Sequence, residues 1–423
     1  MLIKEELYLM SCGELMYKLR DYQKEAVEAA LSFFLGNSKR NAIEVLPTGS
    51  GKSLIIANIA KELDSPVLIF QPTKEILEQN FAKFISYGND ATIYSASVGQ
   101  KKISSVTFAT IGSVIRKIDI LKDFKYVIVD ECHFVNSKKG MYYELFNQLK
   151  GVKILGVTAT PYRLVTDGFG GSILKFLTRT RPRVFTELIY YVQNKELFEK
   201  GYLAELKYCA TKDFSKKQLK LNTTGADYTD MSVKKYYNKI GFEKKILDMV
   251  NKVKEDRKNI LVFTRFIAES EYLVERIPNS AIVTSKTPKK EREQIINGFK
   301  SGDIQIVCNV GILTTGFDYP ELETIIIARP TMSLALFYQM QGRGIRPHPG
   351  KEHVLVIDMC DNLNMFGNIE DLKIVDGGNG KWFISSKDKQ LTNVYYGDGG
   401  KRKSFYKPNK WDVGYERIQP FRI

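Results

Sequence analysis

The octapeptide LPTGSGKS at residues 46–53 constrains this chain more than any other segment. It follows the apolar run AIEVL and precedes SLIIANIAKEL, which indicates a loop between a strand and a helix. Gly49 and Gly51 let backbone N–H groups approach an anion because no Cβ blocks them. Lys52 and the hydroxyl of Ser53 suit a nucleoside triphosphate and its Mg²⁺. We predict a phosphate-binding loop, although leucine replaces the first glycine of the strict pattern and an ordinary glycine-rich turn stays the alternative.

A second polar site is predicted where the apolar run YVIV ends in Asp130 and Glu131. Carboxylates at the end of a buried strand are costly unless a cation or a reaction uses them. Asp130 is suited to hold Mg²⁺ through water, and Glu131 to orient and deprotonate an attacking water. Such a pair can also be a turn or a helix cap. Its combination with the phosphate-binding loop favours ATP hydrolysis, with ATP and Mg²⁺ as the bound groups.

Strand-like runs alternate with helical segments twice along the chain. The first series is AIEVL, VLIF, VTFAT, YVIVD and KILGVTAT, and the second is ILVFT, AIV, IQIVC, TIIIA and HVLVI, with a helix predicted over residues 288–299. Strands that alternate with helices indicate a parallel sheet whose functional loops follow the strand C-termini. We therefore predict an α/β fold with two tandem lobes.

The predicted domains are a first lobe at residues 1–185, a second lobe at 186–371 and a basic, aromatic C-terminal extension at 372–423. Residues 211–230 are polar and rich in turn formers, and we interpret them as part of the passage between the lobes. The extension contains glycine-rich turns between aromatic and basic residues.

Charge and cysteine usage narrow the function classes. The chain has 63 Lys and Arg against 48 Asp and Glu, a net charge of +15, which favours a polyanionic partner such as nucleic acid over a merely solubilised surface. Its five cysteines are scattered, which disfavours a zinc site or a disulfide framework.

The N-terminus lacks the apolar core of a signal peptide, and no stretch has membrane-spanning length. We expect no membrane partner and a cytoplasmic location, in the host if the chain is phage-encoded.

Together with further segments in the same order, these two sites resemble the motifs of superfamily 2 helicases of the DEAD/DEAH-like kind. The further segments are LRDYQ (19–23), IFQPTKE (69–75), FATIGSV (108–114), VTATP (157–161), VFTRF (262–266), NVGILTTGFD (309–318) and QMQGRGIR (339–346). The resemblance implies two RecA-like lobes with an ATP site in the cleft between them.

Within the superfamily the chain looks most like RadD-type repair ATPases and, less closely, phage UvsW-type branch-migration helicases. The segments that carry the RadD likeness are ELFEKGYLAEL (196–206), LTTGFDYPELETIIIARPTMSLALFYQMQGRGIRPHPGK (313–351) and VIDMCDNLNMFGNIED (356–371). No cysteine follows Cys360, whereas RadD-type proteins carry a cysteine-rich module there.

The resemblance assigns roles around ATP. The implied nucleotide-binding residues are Arg20 and Gln23 at the adenine, Thr48, Gly49, Ser50, Gly51, Lys52 and Ser53 at the phosphates, and Gly316 with Asp318 at the ribose. Arg343 and Arg346 are the implied arginine fingers, which stabilise negative charge on the γ-phosphate, and Gln339 is suited to position water or phosphate. Arg343 and Arg346 could instead bind a DNA phosphate, and Arg20 and Gln23 could be helix-cap or surface residues.

Other motif residues are expected to couple ATP to nucleic acid. Thr158, Thr160 and His133 suit hydrogen bonds that link the acidic pair to the neighbouring lobe. The predicted contacts to nucleic acid are Thr73, Thr110, Thr264, Thr314 and Arg181. The segment KRKSFYKPNKW (401–411) interleaves cations with aromatics, which suits either a single strand or a solvated loop.

These inferences predict an ATP-driven DNA helicase or translocase that acts on branched or forked DNA in recombination, repair or replication. An RNA helicase and an ATP-gated clamp that binds nucleic acid without separating strands are the alternatives. We expect a monomer whose partners include DNA and could include RNA, and recombination or single-strand-binding proteins.

Overall fold

The computed structural model describes residues 18–149, 151–166, 172–314 and 316–396. The basic segment at 401–411 therefore lies outside the described residues. The chain divides into two compact units. The first comprises the described residues within 1–163, 176–193 and 374–383, and the second those within 164–175, 194–373 and 384–423.

The described strands and helices alternate along most of the chain. The strands are β1 (Ala42–Val45), β2 (Val67–Gln71), β3 (Thr92–Ser95), β4 (Gln100–Lys101), β5 (Val106–Thr110), β6 (Tyr126–Asp130), β7 (Lys153–Thr158), β8 (Tyr162–Thr166), β9 (Ser172–Phe176), β10 (Glu187–Tyr191), β11 (Leu206–Ala210), β12 (Ile260–Thr264), β13 (Ser280–Val283), β14 (Ile306–Asn309), β15 (Thr324–Ala328), β16 (Val354–Asp358), β17 (Leu372–Asp376), β18 (Trp382–Ser386), β19 (Lys389–Gln390) and β20 (Tyr395–Tyr396). The α-helices are α1 (Asp21–Leu35), α2 (Lys52–Glu62), α3 (Lys74–Ser86), α4 (Ile111–Val114), α5 (Met141–Gln148), α6 (Asn194–Glu199), α7 (Asp230–Ile240), α8 (Phe242–Val253), α9 (Ile267–Val274), α10 (Lys289–Ser301), α11 (Leu334–Gln341) and α12 (Asn362–Phe366). Short 3₁₀ turns lie at Ile118–Asp123, Cys132–Phe134, Leu177–Arg179 and Lys216–Gln218.

The sheet of the first unit has the strand order β10-β1-β7-β6-β2-β5-β3-β4. Its neighbours pair in parallel, apart from the antiparallel pair β3 and β4. Strands β1, β2 and β6 are buried along their whole length, which explains their continuous apolar sequences. Because parallel strands end at the same edge, the segments that follow β1, β7, β6 and β2 are brought together there.

The sheet of the second unit has the strand order β11-β16-β15-β12-β14-β13, and all of its pairs are parallel. Strands β12 and β15 lie at its centre and are buried throughout. The predicted α/β fold with two parallel sheets is confirmed, and both predicted series of strands are present. Among the described helices none is both long and apolar enough to cross a membrane.

The divisions of the chain differ from those predicted. Strand β10 pairs with β1, so the first sheet continues beyond the predicted boundary at residue 185. Our interpretation of residues 211–230 as a passage between lobes is wrong, because they follow edge strand β11 and belong to the second unit. Of the predicted extension, residues 374–383 belong to the first unit and the described residues from 384 onward to the second.

A buried carboxyl group without a partner lies just before the phosphate-binding loop. Glu44 in β1 is 0% exposed, and neither of its carboxyl oxygens has a hydrogen-bond partner among the described residues. Burial raises the pKa of Glu44 well above its ordinary value. The folded chain therefore binds a proton there at a pH at which the unfolded chain has released it.

Because Glu44 keeps its proton on folding, we predict that the free energy of unfolding depends on pH. Above the ordinary pKa of 4.5 the folded chain holds more protons than the unfolded chain, so stability falls as pH rises. Glu44→Gln should remove this loss, and its advantage over wild type should grow by up to about 1.4 kcal/mol per pH unit. Urea unfolding between pH 5 and 8 measures it, with Glu62→Gln on the surface of α2 as the control. Parallel stability curves for wild type and Glu44→Gln would contradict the assignment.

Candidate active site

The predicted phosphate-binding loop at residues 46–53 has glycines in the backbone conformation that such a loop uses. Gly49 and Gly51 both have φ of +81°, in the left-handed region that glycine adopts most easily, and Gly51 directly precedes α2. The loop is tied to β7, because the backbone N–H of residue 46 donates to the carbonyl of Thr158 at 2.9 Å. Lys52 Nζ lies 3.9 Å from Glu131 Oε1. The predicted cation and the predicted carboxylate therefore meet at one edge of the sheet.

Gln23 contacts the phosphate-binding loop from the start of α1. Its Oε1 accepts from the backbone N–H of Arg20 at 2.9 Å, and its Nε2 donates to the carbonyl of Ser50 at 2.9 Å. The Tyr22 hydroxyl donates to the same carbonyl at 2.8 Å. A Cβ on Gly51 would lie 2.5 Å from Gln23 Nε2, so this contact itself requires glycine. These bonds fix the loop to α1, and the adenine contacts of Gln23 and Arg20 stay predictions.

Asn80 in α3 links the two sides of the site, and the sequence reasoning missed it. Its Oδ1 accepts from Ser53 Oγ at 2.9 Å, and its Nδ2 donates to Asp130 Oδ2 at 3.1 Å and to Gln71 Oε1 at 3.0 Å. Asn80 thus connects the end of β2, the end of β6 and the start of α2. Asn80 could have been suggested by its position in the sequence, because it lies seven residues after Thr73 on the helix that follows the IFQPTKE motif.

The environment of Asp130 favours its neutral form. Asp130 is 5% exposed. Burial raises its pKa above the ordinary value, the neighbouring Glu131 charge raises it further, and Lys52 acts in the opposite direction. A cation beside Asp130 would favour the ionised form.

The hydroxyl of Ser53 and the carboxylate of Asp130 are oxygen ligands of the kind that Mg²⁺ prefers. Both groups contact the same side chain, that of Asn80. The residues present at this place therefore fit a Mg²⁺ ion whose remaining ligands are phosphate oxygens and water.

Glu131 is held in an uncommon backbone conformation by a buried polar cluster. Its φ of +48° is in the left-handed region, which is unfavourable for a residue with a long side chain. His133 Nδ1 lies 3.3 Å from Glu131 Oε2, 2.9 Å from Thr158 Oγ1 and 3.0 Å from Thr160 Oγ1. His133, Thr158 and Thr160 are thus joined to Glu131 within the first unit, and their predicted link to the neighbouring lobe stays a prediction.

In the second unit the two arginines of QGRGIR contact the NVGILTTGFD segment. Arg346 forms a close ion pair with Asp318. Arg343 donates from Nη1 to the carbonyl of Phe317 at 2.7 Å and from Nε to the carbonyl of Gln339 at 3.2 Å. These residues lie together in the second unit, and their roles in hydrolysis stay predictions.

The residues predicted to contact nucleic acid differ in how accessible they are. Thr73 is exposed and caps α3 through Ile76 N–H at 3.3 Å, and Arg181 is also exposed. Thr110 is half-buried and bonds to Ser95 and Ser113, each at 3.0 Å. The buried residues of this set are Thr264 and Thr314.

The Thr264 hydroxyl lies 2.7 Å from Ser270 Oγ and donates to Phe266 O at 3.1 Å. It therefore stabilises the start of α9. Its contact with nucleic acid, like those of Thr73, Thr110, Thr314 and Arg181, stays a prediction.

Comparison with protein families places a known domain over each of the two motif-rich regions. The family described as "Type III restriction enzyme, res subunit" matches residues 16–163, and the "Helicase conserved C-terminal domain" family matches residues 243–348. The first match contains the phosphate-binding loop and the acidic pair, and the second contains Arg343 and Arg346.

Curated relatives are similar over most of this chain. A 51.5 kDa protein of a Lactococcus phage is 27% identical, over 76% of this chain and 66% of its own length. The putative ATP-dependent helicase IRC3 of Saccharomyces cerevisiae is 26% identical, over 80% of this chain and 51% of its own length. The DNA 3'-5' translocase XPB2 of Sulfurisphaera tokodaii is 26% identical, over 80% of this chain and 81% of its own length. The chain thus spans about half to two thirds of the first two relatives.

A solved structure shares the fold. The ATP-dependent Type ISP restriction-modification enzyme LlaBIII, bound to DNA, superposes with a TM-score of 0.59 and 19% identity. The match covers 81% of this chain and 28% of that one.

The position of Asn80 predicts a metal-dependent loss of nucleotide affinity. Asn80→Ala removes the side chain that orients Ser53 and Asp130, and lost partners of metal ligands cost about tenfold or more in metal affinity. Titration with a fluorescent ATP analogue should therefore show weaker binding in Mg²⁺ and little change in EDTA.

Asn58→Ala is the matched control, because Asn58 bonds only to Leu54 O within α2 among the contacts described. Equal affinity of Asn80→Ala and Asn58→Ala in Mg²⁺ would show that the bridge does not support the metal site.

Proposed function

The chain belongs to helicase superfamily 2, and we propose that it is a nucleic-acid-stimulated ATPase that moves along DNA. The observation that supports this proposal most strongly is the meeting of the phosphate-binding loop and the acidic pair at one sheet edge. There Lys52 lies 3.9 Å from Glu131, and Asn80 connects Ser53 to Asp130. These are the parts that phosphoryl transfer to water requires: a phosphate cradle, a metal site and a base.

The chemistry assigned to the first unit follows from its side chains. Backbone N–H groups of residues 48–53 and the N-terminus of α2 would bind the phosphates, and Lys52 would neutralise charge between the β- and γ-phosphates. Mg²⁺, held by Ser53 and through water by Asp130, would supply further charge neutralisation. Glu131 would accept a proton from the attacking water, and His133 with Thr158 would keep its carboxylate oriented.

Arg343 and Arg346 are proposed to stabilise the charge that develops on the γ-phosphate during hydrolysis. An arginine in this role is worth on the order of 10³ to 10⁵ in rate. Arg346 is paired with Asp318, the residue assigned to the ribose, so nucleotide binding would compete for this ion pair. Gln339, at α11, is proposed to position the water or the phosphate.

DNA is the proposed substrate, and branched or forked DNA its proposed form. The net charge of +15 favours a polyanion as the partner. One relative is named a DNA 3'-5' translocase, and the restriction-modification enzyme that shares the fold is bound to DNA in its structure. The likeness to RadD-type proteins is what favours forks and junctions over plain duplex.

The catalytic assignment predicts the loss of turnover in two variants. Lys52→Ala removes the phosphate cation, and Glu131→Gln removes the base while keeping the size of the side chain. Both should reduce DNA-stimulated phosphate release by about a hundredfold or more, because each removes a group used in the transition state. Glu131→Gln should still bind ATP, since it keeps Lys52. Turnover close to wild type in either variant would refute the assignment, and Glu62→Gln at an exposed residue of α2 is the control.

If DNA is the substrate, DNA should stimulate ATP hydrolysis more strongly than RNA does. Phosphate release should be faster with fork DNA and single-stranded DNA than with RNA of the same sequence, and it should weaken as salt rises because phosphate contacts release counterions. Strand displacement on labelled forks and junctions shows whether hydrolysis drives remodelling. Equal or stronger stimulation by RNA would favour an RNA helicase, and stimulated hydrolysis without displacement would favour a DNA-dependent ATPase that separates no strands.

A further inference from the structure

The loop at residues 328–332 is held by side chains from several other segments of the second unit. It connects the central strand β15 to α11, the helix that precedes Arg343 and Arg346. Its carbonyl groups accept hydrogen bonds at four consecutive positions, and its N–H groups donate at two. Because the loop is largely buried, its backbone groups need partners within the protein, and charged side chains supply several of them.

Arg265 and Asp227 form one half of this support. The side chain of Arg265 is 7% exposed, and its Nη1 donates to the Pro330 carbonyl at 3.2 Å and to Asp227 Oδ2 at 3.1 Å. The other carboxylate oxygen of Asp227 accepts from the backbone N–H of Met332 at 3.2 Å. Because Arg265 also bonds to Asp230 and to the Tyr228 carbonyl, its guanidinium is committed to contacts within the protein.

Lys216 and Asn362 form the other half. Asn362 is 0% exposed, donates to the Arg329 carbonyl at 3.1 Å and accepts from Thr331 N–H at 3.2 Å. Lys216 Nζ donates to Asn362 Oδ1 at 2.9 Å and to the Thr331 carbonyl at 3.4 Å. Burial lowers the pKa of Lys216 to about 8, while the nearby carboxylates of Asp358 and Asp361 act in the opposite direction.

The support continues directly into α11. Thr331 Oγ1 accepts from Ser333 N–H at 2.9 Å, and Ser333 Oγ caps the helix by accepting from Leu336 N–H at 3.1 Å. The helix then runs for two turns to Gln341 and is followed by the arginines. Any displacement of the loop is therefore carried to Arg343 and Arg346 through a short, capped helix.

We infer that Asp227, together with Arg265, Lys216 and Asn362, positions the arginines of the second unit for hydrolysis. These four are positioning residues, because they touch the loop and not the reacting atoms. The inference rests on the proposed function, in which Arg343 and Arg346 stabilise the transition state. A displacement of about 1 Å in such a group can cost on the order of a hundredfold in rate, so support of this kind has a direct chemical consequence.

The use of charged groups here argues for positioning over simple packing. Removing an ion pair from water is costly, and apolar residues of equal volume often serve stability as well or better. The side chain of Arg265 is nevertheless 7% exposed and that of Asp227 25%. Directed hydrogen bonds from charged side chains instead fix where each carbonyl and N–H of the loop lies. Residues 211–230 supply Lys216 and Asp227, so this segment helps to position the arginines that act in hydrolysis.

The test compares the affinity for ADP with aluminium fluoride, a mimic of the transferring phosphate, against the affinity for ADP alone. Asp227→Leu removes the acceptor of Met332 N–H and the partner of Arg265. It should lower the ratio of the two affinities by about tenfold, and kcat by a similar factor, with ADP affinity unchanged. Asp227→Asn keeps an oxygen that can accept from Met332 N–H but turns an amide NH2 towards Arg265 Nη1, so it should restore only part of the ratio.

Two controls separate positioning from stability. Asp213→Leu makes the same exchange in the same segment, at an exposed residue that pairs with Lys245 at 3.0 Å, and it should leave the ratio unchanged. In an Arg343→Ala/Arg346→Ala background Asp227→Leu should have little further effect, since it acts through these two arginines. A full additional loss in that background, or an unchanged ratio in Asp227→Leu, would overturn the inference. If the wild-type protein shows no nucleic-acid-stimulated hydrolysis, both the proposed function and the inference fail. If the wild type is stimulated and only the affinity ratios disagree with expectation, the inference alone fails.

Discussion

The parallel pairing of β1, β7, β6 and β2 is the constraint on which the candidate site depends. Each of these strands ends at the same edge of the first sheet, so four segments far apart in sequence become neighbours. The backbone bond between residue 46 and Thr158, at 2.9 Å, joins two of them directly. A shift of one strand by a single residue would move the segment that follows it by about 3.3 Å, which would separate Lys52 from Glu131.

Much of this arrangement could be predicted from the sequence, because buried parallel strands have continuous apolar sequences and polar residues stand at their ends. The runs AIEVL and YVIVD became β1 and β6, and their ends meet as expected. The pairing of β10 with β1 could not be predicted, because ELIYY does not alternate between apolar and polar residues and nothing in it indicates its partner strand; the strand is half-buried at the edge of the sheet. The same limit explains the displaced boundary at residue 185.

Side-chain partners were harder to predict than strands. Asn80 lies on a helix, and whether it reaches Ser53 and Asp130 depends on how that helix packs against the sheet. Thr264 was expected at nucleic acid, and the structure shows its hydroxyl bonded to Ser270 and Phe266. In both cases the sequence gives the residue type, and the packing of neighbouring elements decides its partner.

The proposed ATP site is tested most directly by a structure of the chain with a non-hydrolysable ATP analogue, Mg²⁺ and single-stranded DNA. We expect the phosphates to lie on the backbone of residues 48–53, with Lys52 Nζ at the γ-phosphate and the metal at Ser53 Oγ. We also expect a water molecule between the γ-phosphate and Glu131. A nucleotide bound elsewhere, or phosphates that leave Lys52 and Glu131 without contact, would contradict the proposed site.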